Sequence, residues 1–593
     1  MIYQAPVADI LSSMRHAGGL DDAVASGLYG ELTLEDIGSV IEEAGRFANE
    51  VIAPLNRASD TNGAVLRDGR VTMPAGFREA YRAWIDGGWN ALPGPVGFGG
   101  QGLPMLVAVA CSEMWNAASM SFGLGPLLTA GAVEALDKHG SEELKQLYLG
   151  KLVSGEWTGT MNLTEPQAGS DLSALRARAE RAPDGTYRIT GTKIYITYGE
   201  HDLTENIVHL VLARLPDAPP GTRGISLFAV PKVLGDGRAN DLRCAGIEHK
   251  LGIHGSPTCT MVFGDGGGAQ GWLVGQENRG LACMFTMMNS ARLNVGIQGV
   301  AIAERAYQGA LSYAKERRQG RAAGGDGSGM SPIVAHADVQ RMLLTMKAST
   351  AAARCICHLT AAQIDRSRHA ADPGERARAD ARASLLTPVA KAFSTDVGIE
   401  VASIGIQVHG GMGYIEETGA AQHLRDARIA AIYEGTNGIQ AIDLVTRKLP
   451  LDGGATVRAE IAALRAILRR VSAKGVIALG GTASRLRDAI ESLDRSTSFM
   501  LRVLAGNDPV PALAGATPYL RLFSLASGCA LLAEAALRSA TPIPGCDDDP
   551  GLPARIALCR FFAENLATAA GGLEATVVAG GGFVEDAPLA LAS

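Results

Sequence analysis

Thr186-Tyr187-Arg188-Ile189-Thr190-Gly191-Thr192-Lys193-Ile194-Tyr195-Ile196-Thr197 interrupts a chain that is otherwise patterned for helices. Apolar and polar residues alternate on both sides of Gly191. This is the two-residue period of half-buried strands, and it predicts two strands meeting at that glycine. Denser apolar runs at 207–213, 225–230 and 259–263 follow, punctuated by Gly, Pro and Asp. Residues 157–279 are therefore expected to form a β-barrel or sandwich. Upstream the period is helical. Thr33 can cap a helix with Asp36 three residues on, Ile37, Ile41, Ala44, Ala48 and Val51 share one stripe, and Pro54 ends it. Further helical patterns at 77–85, 105–118 and 131–149 make 1–156 an N-terminal helical domain. Helical patterns return at 295–318, 336–364 and 377–408, giving a C-terminal four-helix bundle over 280–450. Beyond Pro450-Leu451-Asp452-Gly453-Gly454, Val457, Ile461, Leu464, Leu468 and Val471 recur at helical spacing. They open an extra helical C-terminal domain, 455–593, with more helix at 483–505, 517–539 and 552–570. The fold class is α+β multidomain.

A chain of 593 residues is too long for one core. With 47% hydrophobic and 19% charged residues it reads as globular. Its net charge of −7 and lack of a basic run leave no electrostatic footprint for nucleic acid. We find no apolar run long enough to span a bilayer. Met1-Ile2-Tyr3-Gln4 lacks the charged-then-apolar start of a signal segment, and a cytoplasmic location is expected. The nine cysteines are scattered, and Cys355-Ile356-Cys357 has poor spacing for zinc, so no metal site is expected. Gly97-Phe98-Gly99-Gly100-Gln101-Gly102 matches a dinucleotide fingerprint formally, but no buried strand precedes it. It reads as a loop, as does the glycine-rich stretch 320–329.

Three local patterns carry chemistry. In Ile432-Tyr433-Glu434-Gly435-Thr436-Asn437-Gly438 a lone carboxylate lies where one helical pattern stops and another resumes. A desolvated carboxylate there has a raised pKa and can accept a proton. The alternative is a capping glutamate, or one ion-paired with Arg425 or Arg428. Met161-Asn162-Leu163-Thr164-Glu165-Pro166-Gln167-Ala168-Gly169-Ser170-Asp171 is a turn whose hydroxyls and amides can serve a cofactor edge or a phosphate, or simply a turn. In Gln407-Val408-His409-Gly410-Gly411-Met412-Gly413-Tyr414 a helix ends in glycines, either for close backbone approach or as a plain C-cap.

Together with Gly191-Thr192-Lys193-Ile194-Tyr195-Ile196-Thr197, these stretches resemble the acyl-CoA dehydrogenase family in order and spacing, from about residue 35 to Lys448. The tail and His249-Lys250-Leu251-Gly252-Ile253-His254-Gly255-Ser256-Pro257-Thr258 resemble a longer branch of that family. This branch includes 3-methylmercaptopropionyl-CoA dehydrogenases and broad-specificity bacterial enzymes.

The resemblance implies FAD between the β-domain and the C-terminal helices. Met161, Leu163 and Thr164 would border the flavin, and Tyr195 and Thr197 would flank its opposite side, with Tyr195 standing where many relatives have Trp. Gly169 and Ser170 would lie near flavin phosphate and the pantetheine arm of CoA. Arg317, Gln407 and Gly411 would reach the FAD of a neighbouring subunit, which implies a homo-oligomer, a dimer or dimer of dimers. Arg318-Gln319-Gly320 departs from the family's commoner aromatic-Gly pattern beside that arginine. Thr436 would be a further FAD contact.

Glu434 would be the catalytic base, since relatives that place the carboxylate on the earlier helix do so where this chain has Ala291. Arg292 and Asn289 would contact the CoA end, and Gly435 would give the substrate clearance. The implied reaction is α,β-dehydrogenation of an acyl-CoA to trans-2-enoyl-CoA, with hydride passing to flavin N5 and electrons to an electron-transfer flavoprotein. The substrate would be 3-methylthiopropanoyl-CoA or a straight-chain fatty acyl-CoA. Alternatives are an acyl-CoA oxidase using oxygen and a non-catalytic acyl-CoA-binding protein.

Overall fold

One strand of eleven residues, Tyr187–Thr197, runs where two were expected. The computed structural model describes residues 3–323, 329–473, 477–540 and 551–592, without the side chains of Asn289 and Ile477. The glycine-rich stretch 320–329 lies partly outside the described residues. Gly191 does not separate strands, because it pairs with Phe263 and keeps the ladder continuous. The first half of the strand pairs with Arg178–Arg181 and Ala269–Val274, and the second half with Thr258–Phe263. Ala269–Val274 also pairs with Ile225–Pro231, which pairs with Ile207–Arg214, and that strand meets Arg178–Arg181. The ladder thereby closes into a barrel. Sharing one strand between two ladders joins them into one sheet, in which, among the described residues, Leu242–Ile247 is an outer strand paired only with Thr258–Phe263. Thr158–Asn162 lies parallel to Ile207–Arg214 and is buried along its whole length.

In the N-terminal domain Thr33 and Asp36 form the expected reciprocal cap, and Ile37, Ile41 and Ala44 face the core. Pro54 stops this run, but it also opens another helix, Leu55–Asn62, which the polar sequence there did not announce. The single helical pattern at 131–149 is two helices, Met120–His139 and Glu142–Ser154. Ser141 caps the second through its hydroxyl, which accepts from Leu144 N at 3.3 Å. Met105–Ala118 and Met120–His139 are buried on most faces and pack on the first helix of the C-terminal bundle.

That bundle consists of Gly280–Glu316, Ala337–His369 and Pro373–His409, followed by a broken fourth member. The fourth runs as Ala420–Ala427, tightens into a 3-10 turn at Arg428–Ala431, and resumes as Asn437–Asp443. Glu434 sits in the gap. The first and third helices meet backbone to backbone: a Cβ on Gly299 would lie 2.2 Å from the Ser394 carbonyl oxygen. The extension opens with Ala455–Ala473, Thr482–Leu504 and Ala516–Ser539. Ala516–Ser539 is, against expectation, long and apolar enough to cross a membrane, yet 94% of that apolar window is buried inside the protein.

A buried ionic triad ties the N-terminal domain to the bundle. Arg354 Nη2 donates to Glu113 at 2.7 Å and to Glu304 at 2.9 Å, and all three side chains are nearly inaccessible. Asp365 adds a second tie, accepting from the Met105 and Leu106 N–H groups at 2.6 and 3.0 Å. It thereby caps a helix that has no side-chain cap of its own. Removing only the cation leaves two buried carboxylates facing each other. We expect Arg354→Met to destabilise the protein by about 3–5 kcal/mol. The triple variant Glu113→Gln, Glu304→Gln, Arg354→Met should recover much of that loss in denaturant unfolding.

Candidate active site

Glu434 is half-buried at the break in the fourth helix, with φ of +55°. Residues with a Cβ seldom adopt that conformation, and it persists only where neighbours hold it. Gly435 follows at φ +84°. The neighbours are polar groups from three helices. Lys391 on the third helix, 0% exposed, donates through Nζ to the Gly435 carbonyl and to Asn437 Oδ1, both at 2.9 Å. Gln440 Nε2 donates to the Glu434 carbonyl at 3.3 Å and the Gly435 carbonyl at 3.4 Å. Asn437 donates to Asp396 Oδ1 at 2.7 Å and to the Ala392 carbonyl at 3.2 Å. The Thr436 hydroxyl accepts from Ile439 N at 3.2 Å and starts the resumed helix.

Two cations face the carboxylate. Arg292 on the first helix is 6% exposed and lies 3.7 Å from Asp443. Lys391 is the second. Burial pushes the Glu434 carboxyl above its ordinary pKa, and Arg292 and Lys391 oppose that rise. Burial likewise brings the Lys391 ammonium down to about 7, against the pull of Glu434 and Asp396. The arginines adjacent in sequence are engaged elsewhere or point outward. Arg425 pairs with Asp60 at 2.6 Å and Glu416 at 2.9 Å, and Arg428 is exposed. The ion-paired alternative for Glu434 through Arg425 or Arg428 therefore fails.

A cavity of about 480 Å³ opens between the N-terminal helices and the first bundle helix. Trp84, Trp89, Trp115, Leu127 and Val133 wall it, and Ser290 and Asn294 border it on either side of Arg292 in sequence. Asn116, also in its wall, begins a hydrogen-bond chain that ends at Tyr433, the residue before Glu434. Gln298 Nε2 donates to Asn116 Oδ1 at 3.1 Å, and Gln298 Oε1 accepts from the Tyr433 hydroxyl.

On the β-domain, Lys193 Nζ donates to the Leu163 carbonyl at 3.0 Å and to Glu165 at 2.8 Å, and Ile194 N donates to the Thr164 carbonyl at 3.0 Å. These bonds fix the 161–171 turn against the long strand. Met161 is buried in its own strand, Leu163, Thr164 and Thr197 are half-buried, and Gly169 and Ser170 are exposed. Tyr195 sits at the register shift with φ +60° and is 60% exposed. A large aromatic face left open beside hydroxyls suits a planar ring with hydrogen-bonding edges. Thr197 pairs with Thr258, at the end of the 249–258 loop. That loop docks on the fourth helix, where Ile253 N donates to Asp426 at 2.5 Å, eight residues before Glu434.

Arg317, Gln407 and Gly411 are exposed and lie together at another end of the bundle, where Tyr313 stacks on His409 at 4.5 Å. About 37 Å of helix separates Arg317 from Arg292. The structure thus brings together Glu434, Gly435, Thr436 and Arg292, and it sets Arg317, Gln407 and Gly411 apart from them. Asn289 lies on the first helix, with its side chain outside the described residues.

Family models match all four parts of the chain. The N-terminal, middle and C-terminal domains of acyl-CoA dehydrogenase match residues 35–156, 160–265 and 278–449, and an acetyl-CoA dehydrogenase C-terminal-like domain matches 455–588. The chain belongs to the acyl-CoA dehydrogenase family. It is 49% identical to 3-methylmercaptopropionyl-CoA dehydrogenase of Ruegeria pomeroyi, over 95% of this chain and 96% of that one. It is 38% identical to a butyryl-CoA dehydrogenase of Syntrophomonas wolfei, over 72% of each. Its fold is similar to that of acyl-CoA dehydrogenase from Bacillus anthracis complexed with FAD, with a TM-score of 0.73, 20% identity, and coverage of 92% and 88%. Its reaction class is acyl-CoA dehydrogenation.

Lys391, Asn437, Gln440, Gln298 and Asp443 are the site residues that sequence reasoning missed. Lys391 carried a signal, as the lone charge in the run Pro388-Val389-Ala390-Lys391-Ala392-Phe393. A Cβ on Gly435 would lie 2.8 Å from Gln440 Nε2. Gly435→Ala should therefore both strain the backbone, by about 1–2 kcal/mol, and displace Gln440 from the Glu434 carbonyl. Thermal unfolding and turnover are both expected to fall, the second more than the backbone strain alone accounts for.

Proposed function

We propose that this chain desaturates an acyl-CoA thioester between Cα and Cβ, with Glu434 taking the α-proton and trans-2-enoyl-CoA as product. The observation that carries the reading is the half-buried Glu434, held at positive φ, whose neighbour Tyr433 is linked through Gln298 and Asn116 to the wall of an apolar cavity. Burial raises its proton affinity toward the range of a general base, while Arg292 and Lys391 keep the ionised form accessible. The acyl chain enters the tryptophan-walled cavity, which is of ligand size. The Glu434 N–H donates to the thioester carbonyl and acidifies the α-position. Arg292 and Asn289 would contact the CoA end, and Gly435 would leave clearance.

The cofactor is FAD, which supplies acceptance of the β-hydrogen as hydride when bound. Met161, Leu163, Thr164, Tyr195 and Thr197 would hold the ring system, and Gly169 and Ser170 would serve the phosphates. Arg317, Gln407, Gly411 and Thr436 complete the cofactor contacts. The separation of Arg317 from Arg292 supports the view that Arg317, Gln407 and Gly411 serve a second subunit's cofactor, in a dimer or dimer of dimers. Electrons leave to an electron-transfer flavoprotein in the cytoplasm. The substrate is 3-methylthiopropanoyl-CoA or a straight-chain acyl-CoA, a choice supported by likeness to the Ruegeria and Syntrophomonas enzymes.

Glu434→Gln should retain FAD yet lose about 100- to 10,000-fold of the rate at which acyl-CoA bleaches the flavin. A variant that bleaches at the parent rate sinks the assignment. Offering oxygen or electron-transfer flavoprotein to the reduced enzyme separates oxidase from dehydrogenase. In the pH profile of kcat/KM, activity falls with acid as Glu434 protonates, and its limb should lie above that of an ordinary glutamate. Arg292→Gln removes a cation that favours the ionised form, so the limb should move further up. Ala130→Phe, in the cavity wall, should abolish turnover of long acyl chains in a chain-length panel and spare short ones.

A further inference from the structure

The C-terminal extension grips the third bundle helix on both sides of Lys391. Toward its N-terminus, Arg382 donates to Glu460 of Ala455–Ala473 at 2.6 and 3.1 Å, with the carboxylate buried. Nearer its C-terminus, Arg521 of Ala516–Ser539 donates to Glu400 at 2.9 Å and lies 5.2 Å over the Phe393 ring. Between these grips stand Lys391, Thr395 and Asp396, the groups that bond the turn around Glu434. Burial raises the Asp396 carboxyl, while its hydrogen bond from Asn437 and the charge of Arg521 lower it. The path is short: Arg521 holds the helix at Phe393 and Glu400, three residues before and four after Asp396, Asp396 accepts from Asn437 at 2.7 Å, and Asn437 accepts from Lys391 at 2.9 Å. Lys391 then donates to the Gly435 carbonyl. The helix that starts at Asn437 also packs directly on Ala516–Ser539.

We infer that Lys391 is a positioning residue for Glu434, and that the C-terminal extension of the same chain keeps Lys391 in place through Arg521, Asp396 and Asn437. This inference rests on Glu434 being the base. The extension is thereby part of how the site is built, in contrast to a role confined to adding surface between subunits. The physical need is clear. A glutamate at positive φ between two short helical segments has no regular backbone ladder to hold it, so side chains from the flanking helices must do so. A displacement of about 1 Å at such a base is worth about 100-fold in rate.

The test uses the full-length FAD-loaded enzyme and stopped-flow bleaching by butyryl-CoA, with KM and FAD content measured alongside. Lys391→Met should slow bleaching by about 10- to 100-fold with KM and FAD content nearly unchanged, and Lys391→Arg should recover part of the rate. Arg521→Met, a change on the half-exposed face of the extension, should slow bleaching by about 2- to 30-fold with the same unchanged KM. The double variant should be no slower than Lys391→Met alone, since both act on one path. If Lys391→Met does not fold, Lys391→Arg and Arg521→Met carry the comparison. Parent-rate bleaching in Arg521→Met, or strictly additive losses in the double variant, overturns the inference while Glu434→Gln remains inactive. Parent-rate bleaching in Glu434→Gln overturns the base assignment itself.

Discussion

The first and third bundle helices can lie side by side only because their contact is made of backbone. At Gly299 no Cβ intervenes between one helix and the Ser394 carbonyl of the other, and Gly398 abuts Gly299 in return. Small residues at a crossing bring helix axes to the lower end of their usual separation of about 8–10 Å. This closeness lets Arg292 from one helix and Lys391 from the other reach the same carboxylate. Were the helices further apart, two long cations could not both be buried against one glutamate without admitting water. Their charges would then be screened, and the carboxyl would lose the environment that sets its basicity.

The burial of those cations has a second side. Each is costly to desolvate, and each is compensated by fixed acceptors: Asp443 for Arg292, and the Gly435 carbonyl and Asn437 side chain for Lys391. The acceptors belong to the turn and the resumed helix. The same contacts that satisfy the buried cations therefore hold the turn in its unusual conformation. The β-domain uses the same device, where buried Lys193 is satisfied by Glu165 and the Leu163 carbonyl, and fixes the turn that presents Thr164.

Much of this was legible in the sequence, and what was not has a common cause. Alternation around Gly191 announced the β-domain, although the pairing of one strand with two ladders requires knowing its partners. The gap between helices at Glu434 was readable from the loss of period. The company of Glu434 was not. Arg425 and Arg428 are close along the chain, but a helix turns successive residues about 100° apart, and these point to Asp60, Glu416 and solvent. Lys391 and Arg292 are distant along the chain and arrive through helix packing, which periodicity does not encode. The split at Ser141 was hidden because apolar residues continue through it, and the helix that Pro54 opens was hidden by its polar composition.

The triad of Glu113, Arg354 and Glu304 bears on the order in which the protein can assemble. Glu113 lies in the core of the N-terminal helices, and its cation comes 241 residues later. At about 5–20 residues per second, a ribosome makes that stretch in roughly 12–50 s. Throughout this interval the emerging N-terminal domain either leaves Glu113 hydrated, with its core open, or buries it as the neutral acid. The ionised triad forms only once Arg354 has left the ribosome.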